Sequence, residues 1–238
     1  MRIMQNDATR GNALPAGELI RKGAEAVLVK GTWLGQEALY KVRLPKAYRI
    51  PQIDAKLRIE RTVAEARILG ALLEAGIPVP GLLDVDAKGG IIVMEFIHGQ
   101  RIKDMVGALH GKLGPIFEKV GYLVAAIHEL NIIHGDLTTS NIIYESKPDS
   151  EDISFTFIDF GLARHTTGIE DKSVDIHLFK RVITSTHASM YDAMYPPFMV
   201  GYKKFLEEQG RAADFTKISR RLDQIETRGR YIEKSERK

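Results

Sequence analysis

His134-Gly135-Asp136-Leu137-Thr138-Thr139-Ser140-Asn141, followed a short hairpin later by Asp159-Phe160-Gly161, is the stretch whose reading decides the fold. Asp136 and Asn141 stand five residues apart in a loop after a helical pattern, so both side chains can face one cavity. Asp136 is the expected catalytic residue, accepting the proton of a hydroxyl or of water. Asn141 and Asp159 are the expected metal ligands, holding Mg²⁺ against the phosphates of ATP. Asp159 closes an apolar strand pattern (Phe155, Phe157, Ile158), and Gly161 allows a sharp turn after it. Any one of these residues alone is an ordinary loop polar group; together they point to phosphoryl transfer. His134 is expected to shape the loop through a hydrogen bond to the backbone rather than to act as a base.

Upstream, residues 1–17 read as a polar extension. Ala26–Val29, Thr32–Leu34 and Ala38–Val42 read as three short strands, with turns at Lys30-Gly31 and Gly35-Gln36. A basic connector bounded by Pro45 and Pro51 follows. Asp54 is then the expected N-cap of a long helix that ends before Gly76. Leu82–Val85 and Ile91–Phe96 complete a set of five strands with one helix inserted after the third. Lys41, unusual within an apolar strand, is read either as an edge-strand lysine in solvent or as the cation that neutralises ATP phosphates. The second role needs a carboxylate to hold it, and Glu65 and Glu60 on the inserted helix compete for it. The place where a phosphate-covering loop belongs reads Gly23-Ala24-Glu25-Ala26. It has a single glycine, yet its small residues let backbone amides approach phosphate. No Gly-x-x-x-x-Gly-Lys-Ser/Thr pattern occurs, which argues against a P-loop NTPase. Met94-Glu95-Phe96-Ile97 ends the fifth strand, where the backbone of Glu95 and Ile97 can meet an adenine.

From Gly99 onward helical text dominates: Leu113–Leu130, Val174–Ser185 and Pro197–Gln209, with a hairpin of Ile142–Tyr144 and Ser154–Ile158 between them. The expected division is 1–97 and 98–238, with a ligand in the cleft between the two parts. The chain has 238 residues, 44% of them hydrophobic and 27% charged, as in a soluble globular protein. No apolar run reaches membrane-spanning length, no signal peptide opens the chain, and no cysteine is present. A cytoplasmic protein that does not engage membranes is expected. The net charge is +3, and residues 216–238 hold eight Lys/Arg against four acids. That basic tail, including Arg228 and Arg230, is either a solvated end or an arm for a polyanion such as tRNA.

These residues resemble the eukaryotic-like protein kinase superfamily, and within it the small atypical kinase/ATPase subunits of the KEOPS complex. The likeness runs from about Gly17 to the end of the chain. It rests on Gly23–Ala26, Arg61–Arg67, His134–Asn141, Ile158–Ala163, Glu170–Asp175 and Arg228-Gly229-Arg230. The resemblance implies an α+β, bilobal protein-kinase-like fold: a five-stranded antiparallel N-lobe with one inserted helix, and a small helical C-lobe. It implies ATP and Mg²⁺ as cofactors, Glu65 rather than Glu60 as the partner of Lys41, and Gly23, Ala24, Glu25, Ala26, Glu95 and Ile97 around the nucleotide. It further implies a Ser/Thr kinase or ATPase that binds a tRNA threonylcarbamoyl transferase subunit and other KEOPS subunits. In such a complex it would support modification of a tRNA adenosine near the anticodon. Departures from ordinary protein kinases are informative. Gly135 stands where an arginine usually pairs with a phosphorylated activation loop, and Thr138 where Ser/Thr kinases carry a lysine. Only about a dozen residues separate Gly161 from Asp175, with no Ala-Pro-Glu motif, which favours water or self as acceptor. The alternatives are an aminoglycoside- or choline-type phosphotransferase, which usually has a larger helical insert, and a catalytically dead scaffold. The intact set Lys41, Asp136, Asn141 and Asp159 speaks against the scaffold.

Overall fold

Alternating apolar residues and one tight turn build the first sheet. The computed structural model describes residues 14–145 and 153–235, with the side chains of the last helix described as far as Thr227. Strands β1 (Glu18–Lys22), β2 (Val27–Trp33), β3 (Gln36–Val42), β4 (Leu82–Asp86) and β5 (Ile91–Glu95) form one antiparallel sheet in the order β1-β2-β3-β5-β4. Helix α1 (Pro51–Glu74) is inserted between β3 and β4. The count of five strands and the inserted helix match expectation, but the first assignments do not: β1 is not among the expected strands, and Ala26–Val29 and Thr32–Leu34, expected as two, lie along the single β2. Lys30-Gly31 is not a turn; Gly31 lies inside a continuous β2, paired with Ala38. A Cβ at Gly31 would press on the Ala16 carbonyl and the Tyr40 ring, so this glycine marks a close approach within a strand. The chain reverses at Leu34-Gly35, both with positive φ (47° and 88°), as a two-residue hairpin of right-twisted strands requires.

The expected N-cap also moves. Pro51 opens α1, where its missing N–H costs nothing, and Asp54 lies in the first turn, donating its N–H to the Ile50 carbonyl. The two parts of α1 bury different chemistry. Ile68, Leu69 and Leu72 bury an apolar stripe towards its C-terminal end, whereas the part before Ala66 buries Asp54, Thr62 and Glu65. The chain divides accordingly into two compact units. One holds the described residues up to Arg67 together with Pro80–Phe96; the other holds Ile68–Val79 and the described residues from Ile97 onward.

The second unit is mainly helical. β6 (Gln100–Arg101), α2 (Ile102–Met105), α3 (Leu113–Glu129) and β7 (Ile132–Ile133) lead into the His134–Asn141 stretch. β8 (Ile142–Glu145), β9 (Ser154–Phe157), β10 (Arg164–His165), α4 (Ile169–Thr186), α5 (Tyr191–Glu208) and α6 (Ala212–Ser235) follow. β6, β8 and β9 form a small sheet, and β10 pairs with β7. Helix α5 begins well before the expected Pro197, because Tyr191, Tyr195, Phe198 and Tyr202 form an aromatic file that Phe179 of α4 and Phe117 of α3 extend. Residues 216–235, read as part of a basic tail, are helical within α6.

The α3–α5 crossing is set by two glycines. A Cβ at Gly121 would strike the Phe198 carbonyl, and one at Gly201 would strike that of Glu118. The two backbones therefore touch, and Phe117, Phe198 and Tyr202 close over the contact. Gly121→Ala should lower stability by about 1–3 kcal/mol through overpacking. Gly114→Ala, in the same helix with open space around it, should raise stability by about 0.5–1 kcal/mol. Urea midpoints measure both, and equal shifts for the pair would remove the close-contact argument.

Candidate active site

Strand periodicity puts Lys41 and Arg43 on one face of the chain at and just after β3, two residues apart. Both are buried, and both reach the same carboxylate on α1. Lys41 Nζ meets Glu65 Oε1 at 2.6 Å, and Arg43 Nη2 pairs with Glu65 Oε2. Arg43 Nη1 also reaches Thr62 Oγ1 at 3.4 Å, and its N–H donates to the Gly90 carbonyl at 2.9 Å. Glu60, the competing carboxylate, is exposed and pairs with Lys56 at 3.9 Å. Sequence reasoning missed Arg43. Its signal was available: a second cation at i+2 from Lys41, with Glu65 and Thr62 three residues apart on the helix.

The Gly23–Ala26 turn closes on itself through Gly23 N–H to the Ala26 carbonyl at 2.9 Å. Its exposed Glu25 pairs with Arg61 of α1, while Lys46 donates to the Ala24 carbonyl. Glu95 uses its own N–H on the Gly81 carbonyl at 2.8 Å, and its carboxylate accepts the Gly81 N–H at 3.2 Å. Ile97 follows outside the strand and is half-buried.

In the second unit the loop after β7 is organised from below by one residue of α4. Asp175 Oδ2 accepts the His134 N–H at 2.9 Å and lies 3.2 Å from His128 Nε2, while Oδ1 accepts the Gly135 N–H at 2.9 Å. His128 in turn reaches the Tyr202 hydroxyl at 2.8 Å through Nδ1. Burial would push the Asp175 carboxyl up, but the hydrogen bond and charge of His128, with His134 beside it, hold it below the ordinary carboxylate range. His134 is displaced the other way from charge. Burial carries its imidazole below the usual value in spite of the Asp175, Asp159 and Asp136 carboxylates. The neutral ring is used twice. Nδ1 accepts the Asp136 N–H at 3.3 Å, and Nε2 donates to the Ile158 carbonyl at 3.2 Å. His134 thus shapes the loop, and its ring also packs on Phe160 at 4.6 Å.

Asn141 closes the loop on itself. Its Nδ2 donates to the Asp136 carbonyl at 2.8 Å and to Asp136 Oδ2 at 2.9 Å. Its own carbonyl accepts the Ile158 N–H at 2.9 Å, one residue before Asp159. Asp136, Asn141 and the start of Asp159-Phe160-Gly161 are therefore joined by short bonds within one unit. Asp159 has φ 64°, a left-handed backbone that aspartate tolerates better than most residues. Among the described residues no cluster of three or more His, Asp or Glu side chains could hold a metal by itself. An amide oxygen from Asn141 with a carboxylate from Asp159 suits Mg²⁺, which takes one or two protein oxygens and completes its shell with phosphates and water. Gly135 has φ 76°, and a Cβ there would run into the Leu162 carbonyl. That is a local reason for glycine at this position. Arg228 and Arg230 lie outside the described side chains, while Lys217 and Arg221 of the same basic stretch pair with Asp214 and Glu170.

The model of the RIO domain matches residues 43–170, more than half of the chain. The chain belongs to the RIO-domain family of atypical kinases. Its similarity to the KEOPS complex subunit Bud32 of Pyrococcus abyssi is 40% identity over 227 residues, covering 92% of this chain and 98% of that protein. It is also 37% identical over 227 residues to a probable bifunctional tRNA threonylcarbamoyladenosine biosynthesis protein of Methanothermobacter thermautotrophicus. That match covers 95% of this chain but 39% of the relative, so the chain spans about two fifths of such bifunctional proteins. Among solved structures, the Rio2 kinase of Chaetomium thermophilum superposes with a TM-score of 0.57 at 17% identity over 87% of this chain and 71% of that one, a likeness of fold. The RIO-type fold is a nucleotide-binding one, and the expected atypical kinase/ATPase class agrees with the family.

The Asp175 and His134 interactions set a direction for pH dependence. A histidine held neutral by burial contributes stability that is lost as pH falls from about 6.5 towards its lowered folded value. Asp175, with a depressed pKa, adds a further loss below its ordinary 3.8. The urea midpoint should therefore fall between about pH 7.5 and pH 5, and again in stronger acid. Asp175→Asn, which cannot accept all three contacts, should cost about 1.5–3 kcal/mol at neutral pH. A midpoint flat across that range, or unchanged in the variant, would contradict the role given to this carboxylate.

Proposed function

We propose that the chain is a Mg²⁺-ATP-dependent Ser/Thr-type phosphotransferase and ATPase whose turnover supports threonylcarbamoyl modification of a tRNA adenosine within a KEOPS assembly. The observation that carries the chemical half is the Asp136–Asn141 pair, bonded at 2.9 Å and tied through Ile158 to Asp159. Asp136 orients the acceptor and takes its proton as the acceptor oxygen bonds to the γ-phosphorus, while the bond from that phosphorus to the β-phosphate oxygen breaks and ADP leaves. Asn141 and Asp159 would hold the metal ion. Neutralisation of charge on the phosphate oxygens is what Mg²⁺ supplies when bound. Lys41 binds phosphate oxygens and Glu65 positions it. The small residues of Gly23–Ala26 bring backbone amides to the phosphates, and the Glu95 carbonyl and Ile97 N–H hold the adenine.

The biological half draws on the relatives. One that this chain matches along nearly its whole length is named a KEOPS subunit, and others are named for tRNA threonylcarbamoyladenosine biosynthesis. The partners proposed are the transferase subunit and other KEOPS subunits, with tRNA contacted by the basic end of α6, Arg228 and Arg230 included. Among the described residues no helix is long and apolar enough to cross a membrane, and the proposed place of action is the cytoplasm.

Asp136→Ala and Asp159→Ala should each lower ATP turnover at least about a hundredfold, the scale of losing a transition-state group. The Asp136→Ala midpoint should stay near wild type, since Asn141 keeps the Asp136 carbonyl as an acceptor, whereas Asp159→Ala should lose about 1 kcal/mol at its left-handed backbone and still fold. Turnover within a few-fold of wild type in either variant would sink the mechanism. Deleting residues 228–238 should weaken tRNA binding, flatten its salt dependence and leave basal ATP turnover in place. Unchanged tRNA affinity at moderate salt would remove the arm from the proposal.

A further inference from the structure

Glu65 carries two cations, not one. The Lys41–Glu65 pair uses Oε1; the second oxygen is occupied by Arg43, a residue with no part in the reading so far. Arg43 is only 4% exposed, and its guanidinium is itself fixed by Thr62 one turn earlier on α1. Its backbone is fixed as well, by the bond to Gly90 that continues past the end of the β3–β5 ladder. A glutamate side chain on a helix has three rotatable bonds, and one ion pair leaves its carboxylate free to swing about that contact. A planar guanidinium on the second oxygen, backed by a rigid strand, removes that freedom.

Charge gives the second consequence. A carboxylate that serves a lysine alone draws on the full charge of that lysine. Here Glu65 meets two cations with one negative charge, so the three groups together keep a net positive charge while the geometry of the carboxylate is firmer. Those are the two properties that a phosphate-binding lysine needs: a set position, and a charge not spent on its positioner. Burying an extra cation is costly unless it is paired and hydrogen-bonded, and Arg43 meets both conditions through Glu65 and Thr62.

We propose that Arg43 is a positioning residue for nucleotide binding: by occupying Glu65 Oε2 it fixes the carboxylate that presents Lys41 to the phosphates. The inference rests on the phosphotransfer reading above. It acts through Glu65, so its effect must vanish when Glu65 can no longer serve.

The test is Mg²⁺-ATP binding by calorimetry and steady-state ATP turnover on the full chain. The variants are Arg43→Met, Arg43→Gln and Arg43→Lys, each also in a Glu65→Gln background. The neutral variants should weaken nucleotide binding and raise KM on the order of tenfold with a smaller change in kcat, the pattern of a lost binding interaction. Arg43→Lys, which keeps the cation, should recover most of that loss. In the Glu65→Gln background, Arg43→Gln should change affinity by less than about twofold, since the carboxylate it acts through is gone. Should Arg43→Met fail to fold, Arg43→Gln, which can still bond to Thr62, carries the same comparison. Neutral variants that lose thermal stability but bind Mg²⁺-ATP like wild type, or equal losses with and without Glu65, overturn the assignment of Arg43. A wild-type chain that fails to bind Mg²⁺-ATP overturns the phosphotransfer reading itself, and this inference with it.

Discussion

The Asp175 carboxylate is the constraint on which the second unit depends. It is buried, and its oxygens meet two backbone N–H groups of the loop after β7 and the ring of His128. An ionised carboxylate in that position is tolerable only because both of its oxygens have donors. Hydrogen bonds to a charged acceptor contribute about 1.5–3 kcal/mol each, and losing one leaves a buried group unpaired. The loop is thereby referenced to α4, and through His128 and Tyr202 to α3 and α5. The close α3–α5 crossing at Gly121 and Gly201 completes the platform. Asp136 and Asn141 are held to each other by bonds within the loop, and the loop is referenced to this platform, as the proposed catalytic roles would require.

The first unit meets the same difficulty with opposite charge. Lys41 and Arg43 are buried cations, and α1 buries the polar Thr62 and Glu65 to receive them. Asp54 does similar work one and more turns earlier, pairing with Arg58 at 3.0 Å and Arg49 at 3.4 Å. Each unit thus pairs buried charges with partners of its own.

Much of this was legible in the sequence, and the misses have physical causes. The apolar alternation of β2, β3 and β5 and the Asp136, Asn141 and Asp159 spacing were readable because periodicity and motif spacing act over short range. Gly31 misled because a glycine demanded by a neighbour's close approach looks the same in text as one demanded by a turn. Asp54 misled because an aspartate near a helix start is usually a cap, and here its partner Arg58 lies one turn on. Pro196 and Pro197 hid the first turns of α5, whose aromatic file, not its local propensity, makes it helical. Arg43 was missed for a related reason: the cation two residues after Lys41 is plain in the text, but its significance comes from Glu65, 22 residues away. The pairing of Lys41 with Glu65 over Glu60 needed the family resemblance, since both glutamates lie on the same helix.

Gly135 and the short link after Gly161 turn out to be one structural fact. The Leu162 backbone lies against Gly135, so neither could change alone. From there to α4 the link is bonded along its length. Arg164 and His165 pair with β7, Thr166 N–H donates to the Asn131 carbonyl at 2.7 Å, and Asp171 accepts from Thr166 Oγ1 and Arg164, each at 2.6 Å. A segment held by that many local bonds has little disorder to lose when a charged group is added. Kinases that order a long activation loop by phosphorylation exploit the free energy of that disorder. Here the segment is already ordered by the chain's own hydrogen bonds. That follows from the hydrogen bonds alone, and it agrees with a glycine standing where an arginine would otherwise wait for a phosphate.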